Sequence, residues 1–248
     1  MVLWTVPTIP FRKVQGGARP SPTKSQFLLN FILKHGKLTE ERKVHFMAYI
    51  LAVLGGYLMG CSNMAYWLAR GRGVDLRSGG SGNLGASNAV TMMGWKAGII
   101  TALHDGAKAF LAVILFRIIF REVQFIGAIA GVAAVFGHIY PFYLKFKGGK
   151  GLASYVGMLV ALNWKLALAL FVLLALATII TDYIVVGTVL VVISAPIYYA
   201  VTGDTVTALI LAAASVVMLW KHRMNYVRIY KGTEVGLRSA ARGDHRVK

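Results

Sequence analysis

Acidic residues are the scarcest chemistry in this chain: nine Asp and Glu stand against 27 Lys and Arg in 248 residues, a formal charge of +18. Cysteine occurs once, at Cys61 inside an apolar run, which excludes a disulfide framework and a Cys-based zinc site. Only 15% of residues are charged while 57% are hydrophobic. With a mean hydropathy of +0.63, that balance excludes an ordinary soluble domain and points to a chain solvated by lipid. Such an excess of base often meets nucleic acid. Here the basic residues sit mostly in short loops and tails between apolar segments, which favours anionic headgroups or a phosphorylated ligand and no nucleic acid.

What is present is a succession of apolar runs. The expected fold is an all-α integral membrane protein with seven transmembrane helices, at 47–69, 92–120, 123–142, 151–163, 164–181, 183–201 and 205–221, some of them short. The run 92–120 is too long for one straight crossing and is interrupted by His104, Asp105 and Lys108. Residues 1–46 differ: they are basic and carry Pro7, Pro10 and Pro20, and "SQFLLNFILKHGK" fits a surface-lying helix. The functional chain is expected to start near Met47, with 1–46 as an extension or poorly ordered arm, a domain over 47–236, and a basic tail over 237–248. An odd number of spans gathers loop 70–91, loop 143–150 and the tail on one face, expected to be cytoplasmic. Arg117 and Arg121 fall on the opposite side.

Three polar segments on that face carry the chemistry. In "RSGGSGNLGASN" (77–88), Gly80, Gly82 and Gly85 match the dinucleotide fingerprint formally, but an apolar helix precedes them where that fingerprint needs a strand. Small residues still let amides turn toward an anion, with Ser81, Asn83, Ser87 and Asn88 as neutral donors. In "GHIYPFYLKFKGGKGLASYVG" (137–157), Lys145, Lys147 and Lys150 alternate with Gly148, Gly149 and Gly151. This is no Walker A loop, because Gly151 stands where Ser or Thr is required. Its glycines, lysines and a helix starting near Gly151 nevertheless suit phosphate. In "WKHRMNYVRIYKGTE" (220–234), His222, Asn225 and Arg228 fall at i, i+3 and i+6, roughly one helix face, with Glu234 beyond. Within "LHDGAKAF", Asp105 and Lys108 are spaced to pair across one helical turn, either as a structural pair or as part of a site.

Together "SGNLGASN", "GHIYPFYLKFKGGKGLAS" and "HRMNYVRIYKGTE" resemble the three motifs of the bacterial acyl-phosphate-dependent glycerol-3-phosphate acyltransferases. "LHDGAKA" is similar to a fourth element of that family, with Ala109 where glycine is usual. The resemblance runs from about Met47 to Gly236. It implies a seven-helix enzyme of the inner or plasma membrane, N-terminus outside, active site and C-terminus cytoplasmic. It implies transfer of a fatty acyl group from acyl phosphate to the 1-hydroxyl of glycerol 3-phosphate, giving lysophosphatidic acid and phosphate. Membrane lipid is the other partner, neither cofactor nor metal is implied, and the residues point to no particular oligomeric state.

The implied catalytic residues are Lys150, His222, Asn225 and Ser81. The implied substrate-binding residues are Gly82, Asn83, Gly85, Asn88, Lys108, His138, Lys147, Gly148, Gly149, Gly151, Arg228 and Glu234. An acyl phosphate is already activated, so no protein nucleophile is required. The attacking hydroxyl's proton goes either to His222 or to the substrate's own phosphate, the choice the resemblance favours. One departure is Thr91, where the family usually carries arginine; Arg77 or Lys96 is a candidate substitute. Two other readings stay open on the sequence: a transporter or channel for a phosphorylated anion, and a non-catalytic or acceptor-altered paralogue.

Overall fold

The structure, a computed structural model, describes residues 24–241. The expectations for 1–46 and 237–248 therefore fall in part outside the described residues, at 1–23 and 242–248. The helices are α1 (Lys24–Cys61), α2 (Met64–Gly71), α3 (Ala86–Met93), α4 (Trp95–Ile119), α5 (Ile126–Ile139), α6 (Leu152–Leu162), α7 (Trp164–Thr181), α8 (Ile184–Val201), α9 (Thr205–Lys221), α10 (Arg223–Tyr230) and α11 (Leu237–Ala241). The chain divides into two compact units at Lys43 and Val44. In the first, Lys43 pairs with Glu40 one turn away at 2.8 Å. The packing and the site described below lie in the second.

Among the described residues five helical segments are long and apolar enough to cross a bilayer: Thr39–Gly71, Trp95–Ile119, Ile126–Leu144, Trp164–Thr181 and Ile184–Val201. A sixth results if α9 and α10, bent by 43°, count as one. The expected span at 151–163 is α6, an apolar helix of 11 residues. The expected run 92–120 is broken at Gly94, whose φ of 87° ends α3 and opens α4. The stretch expected to be a loop at 70–91 thus holds a helix.

Local signals explain several starts. Asn63 accepts from Tyr66 N at 2.8 Å and caps α2, Asn163 accepts from Leu166 N and caps α7, and Asp204 accepts from Thr207 N and caps α9. The outer surface is greasy: Ile180 is 76% exposed and Val201 81%, as expected where lipid is the solvent. Inside, close approach depends on missing side chains. A Cβ on Gly60 would overlap the Ala134 carbonyl, one on Gly137 the Tyr57 carbonyl, and one on Gly157 the Gly106 backbone. These contacts seat α1 against α5 and α4 against α6, the small-residue packing that membrane helices use. Val113, Val135, Tyr155, Met158, Leu211 and Met218 fill the space between them.

Pro196 inside α8 removes the amide that would bond the Val192 carbonyl. Ser215 on α9 donates to that carbonyl at 2.6 Å, and Tyr155 Oη lies 3.2 Å from Ser215 Oγ. The freed group is thus satisfied between helices.

Candidate functional site

All three polar segments meet at one end of the bundle, where α5, α7 and α9 finish and α3 and α6 begin. Lys150 Nζ donates to Asn225 Oδ1 at 2.6 Å, joining the second segment to the third. Asn225 Nδ2 in turn donates to Glu234 Oε1, and Arg228 Nε to Glu234 Oε2. The first segment joins through backbone: a Cβ on Gly85 would sit 3.9 Å from Gly149 Cα. Arg77 adds a clamp, donating through Nη2 to the carbonyls of Leu144 and Lys147 at 3.1 and 3.2 Å. Thr91, in the position noted above, donates to the Ser87 carbonyl within α3.

Lys150 is half-buried. Burial chiefly, and the Arg228 charge next, push its pKa down to about 8; Glu234 opposes and Lys221 adds to the depression. His222 is buried at the pivot between α9 and α10, and its Nδ1 lies 2.8 Å from the Met218 carbonyl. A carbonyl only accepts, so Nδ1 carries the proton and Nε2 keeps a free lone pair. The expected single helical face is therefore modified: only Asn225 and Arg228 share α10, and His222 stands just before its first residue.

In the first segment Ser81 and Gly82 are exposed and Asn83 half-buried. Asn88 is buried and faces inward: Oδ1 accepts from Ser81 N at 2.8 Å, and Nδ2 donates to Leu76 O at 2.8 Å. It braces the loop, with all of that side chain's strong bonds internal. A Cβ on Gly80, φ 57°, would strike its Oδ1.

In the second segment two glycine amides bond within the chain. Gly148 N donates to Ile139 O and Gly149 N to His138 O, both at 3.1 Å. Cβ atoms there would collide with the His138 carbonyl and the His138 ring. These glycines bring the loop onto the end of α5, and their amides are already used. Gly151, φ 99°, opens α6, and Lys147 is exposed. Both α3 and α6 begin at a glycine, which has no side chain to cap the first amides.

Lys108 and His138, expected to contact phosphate, lie one step deeper. Lys108 is 6% exposed. Its ammonium donates to the Ser62 carbonyl, to Asp105 Oδ1 at 2.9 Å and to His138 Nδ1 at 3.0 Å, which uses all three N–H groups. That assignment puts the His138 proton on Nε2, against Gly149. His104 Nδ1 reaches Asp105 Oδ1 at 3.4 Å, and Ser154 Oγ donates to the Asp105 carbonyl at 2.9 Å. The network ties the α1–α2 break, α4, α5 and α6 together beneath the glycine loop. Sequence reasoning missed Asn63, Ser62 and Ser154. Asn63 had a legible signal, a polar residue opening a new apolar run; the other two had none.

The family model for glycerol-3-phosphate acyltransferase matches residues 50–232. Among relatives, "Glycerol-3-phosphate acyltransferase 1" of Oceanobacillus iheyensis is 36% identical over 204 residues, covering 78% of this chain and 97% of the relative. The glycerol-3-phosphate acyltransferase of Coxiella burnetii is 35% identical over 190 residues, covering 76% and 97%. Among solved structures, the glycerol 3-phosphate form of PlsY (YgiH), an integral membrane glycerol 3-phosphate acyltransferase, superimposes with a TM-score of 0.72 at 29% identity, over 76% of this chain and 95% of that one. Its lysophosphatidic acid form gives 0.67 at 28% identity. The chain belongs to the glycerol-3-phosphate acyltransferase family of integral membrane proteins.

Proposed function

We propose that this chain transfers a fatty acyl group from acyl phosphate to the 1-hydroxyl of glycerol 3-phosphate, giving lysophosphatidic acid and inorganic phosphate. The observation that carries the reading is the Lys150–Asn225 bond beside the Gly85–Gly149 approach, which makes one site of three separate segments. Two phosphates must be held side by side. The uncapped starts of α3 and α6, with Lys147, Lys150 and Arg228, supply donors and charge for both.

In this account the hydroxyl oxygen attacks the acyl carbonyl carbon and its proton passes to His222 Nε2, whose lone pair the Met218 bond leaves free. The bond from carbonyl carbon to phosphate oxygen breaks, and phosphate leaves with the electron pair. Lys150 offsets charge developing on the carbonyl and the leaving phosphate. Ser81, Gly82, Asn83 and the amides near Gly85 and Gly151 hold phosphate oxygens. Asn225 and Glu234 fix Lys150 and Arg228. Asn88, Lys108, His138, Gly148 and Gly149 keep the loops in place without touching substrate.

The acyltransferase domain spans 47–236 and crosses the membrane seven times, with α6 as a short crossing that starts at the site. The site end carries Arg70, Arg72, Arg77, Lys145 and Arg223, which supports a cytoplasmic active site and C-terminus in the inner or plasma membrane. The donor is tested with purified protein in lipid, labelled glycerol 3-phosphate, and palmitoyl phosphate, palmitoyl-CoA or palmitoyl acyl carrier protein. Lysophosphatidic acid should form from palmitoyl phosphate alone; formation from either thioester would refute this donor.

A further inference from the structure

Glu234 lies in a short connection between α10 and α11, yet both of its carboxylate oxygens serve the site. Upstream, Thr233 N donates to the Arg228 carbonyl at 2.8 Å. Downstream, the chain is gripped by a residue distant in sequence. Asp182 sits with φ 70° in the two-residue turn between α7 and α8. Its carbonyl accepts from Leu237 N at 2.7 Å and its Oδ1 from Arg238 N at 2.8 Å. Arg238 Nη2 also donates to the Ile179 carbonyl in the last turn of α7, at 3.2 Å. Gly236 passes so close that a Cβ there would strike Asp182 Oδ2. A carboxylate and a carbonyl on a non-glycine left-handed residue are thus turned on one stretch of the C-terminal segment, two to four residues past Glu234.

We propose that Asp182 is a positioning residue, holding Glu234 at the Lys150–Asn225 pair by clasping Gly236–Arg238 to the α7–α8 turn. The inference rests on the acyltransferase reading of that site. With the clasp open, only its own bonds to Asn225 and Arg228 hold Glu234 at the site, and its grip on the Asn225 amide loosens. The groups facing Lys150 are Asn225 and Arg228 on α10, Lys221 and His222 at the end of α9, and Glu234. Glu234 is the carboxylate among them and supports the charged form of Lys150. Its retreat lets Lys150 lose its proton at lower pH.

Two variants separate the carboxylate from the backbone. Asp182→Gly keeps the left-handed turn and removes the acceptor, whereas Asp182→Asn keeps an acceptor and tolerates the turn. Both are compared with wild type in lipid by hydrogen exchange at Thr233–Gly236 and by lysophosphatidic acid formation against pH. Asp182→Gly should exchange faster there, turn over about 10- to 100-fold more slowly, and lose activity at a pH about one unit lower; Asp182→Asn should follow wild type. Gly236→Ala should repeat the Asp182→Gly pattern by forcing the same contact apart. The clasp is refuted if Asp182→Gly matches wild type in exchange, or if activity falls with its alkaline limb unmoved. Wild type that makes no lysophosphatidic acid would overturn the activity reading instead, while the exchange measurement still decides the clasp.

Discussion

Lys150 Nζ and Asn225 Oδ1 meet at 2.6 Å across 75 positions of sequence. Asn225 is held in turn by Glu234 through its Nδ2, so Lys150 meets a fixed acceptor and the two residues act as a unit. Lys150→Ala is expected to lower turnover by roughly 10²–10³ while the protein still folds. The double variant with Asn225→Ala should lose little more than either single change. Steady-state rates of the three variants check this; additive losses would mean the two residues act separately.

A lysine with an ordinary pKa stays charged to about pH 10. Lys150, lowered to about 8 by burial and by Arg228, deprotonates earlier. Turnover that needs the ammonium should therefore hold below pH 7 and fall as the pH rises through about 8. A kcat profile between pH 6 and 10 measures it.

His222→Gln keeps size and a hydrogen-bonding group but removes the ring acceptor. If His222 Nε2 takes the hydroxyl proton, turnover should fall about 10²-fold or more with KM for glycerol 3-phosphate nearly unchanged. A fall of less than about 10-fold would assign the proton to the substrate's phosphate.

Lys108→Met would leave Asp105 as an uncompensated buried charge and open the bond to the Ser62 carbonyl. A cost of about 3–5 kcal/mol is expected, read as a large drop in thermal unfolding temperature in detergent. Combining it with Asp105→Asn should recover part of that loss.

Ser215→Ala tests a different part of the bundle. It strands the Val192 carbonyl that Pro196 leaves without an amide. Unfolding should become easier by about 1–3 kcal/mol, with the rate per folded molecule unchanged, because Ser215 lies in the bundle interior and not among the site residues.

Much of this was legible in the chain. Apolar runs placed the crossing helices, and the i, i+3 spacing of Asp105 and Lys108 anticipated their pair. The three polar segments, expected on one face, do meet at one end of the bundle. Less visible were features created by distant contacts. Gly148 and Gly149 look like an anion nest in sequence, but their missing Cβ atoms make room for His138, which is ten and eleven residues away. His138 completes the Lys108 shell from another helix, and no periodicity announces that. Helix α3 hid in a presumed loop because it is eight residues long and begins and ends at glycine. Asp182 gave no signal, and Arg77 was legible only as a candidate for the missing arginine and not as a clamp, because their partners lie 56 and 70 positions away.

The central claim is that this site couples two phosphate substrates in one acyl transfer. Its most direct test is phosphate release by purified protein in lipid, given palmitoyl phosphate with and without glycerol 3-phosphate. The account predicts release that depends on glycerol 3-phosphate, with lysophosphatidic acid appearing in equal amount. Release that is indifferent to glycerol 3-phosphate, or that occurs only with another polyol phosphate, would contradict it.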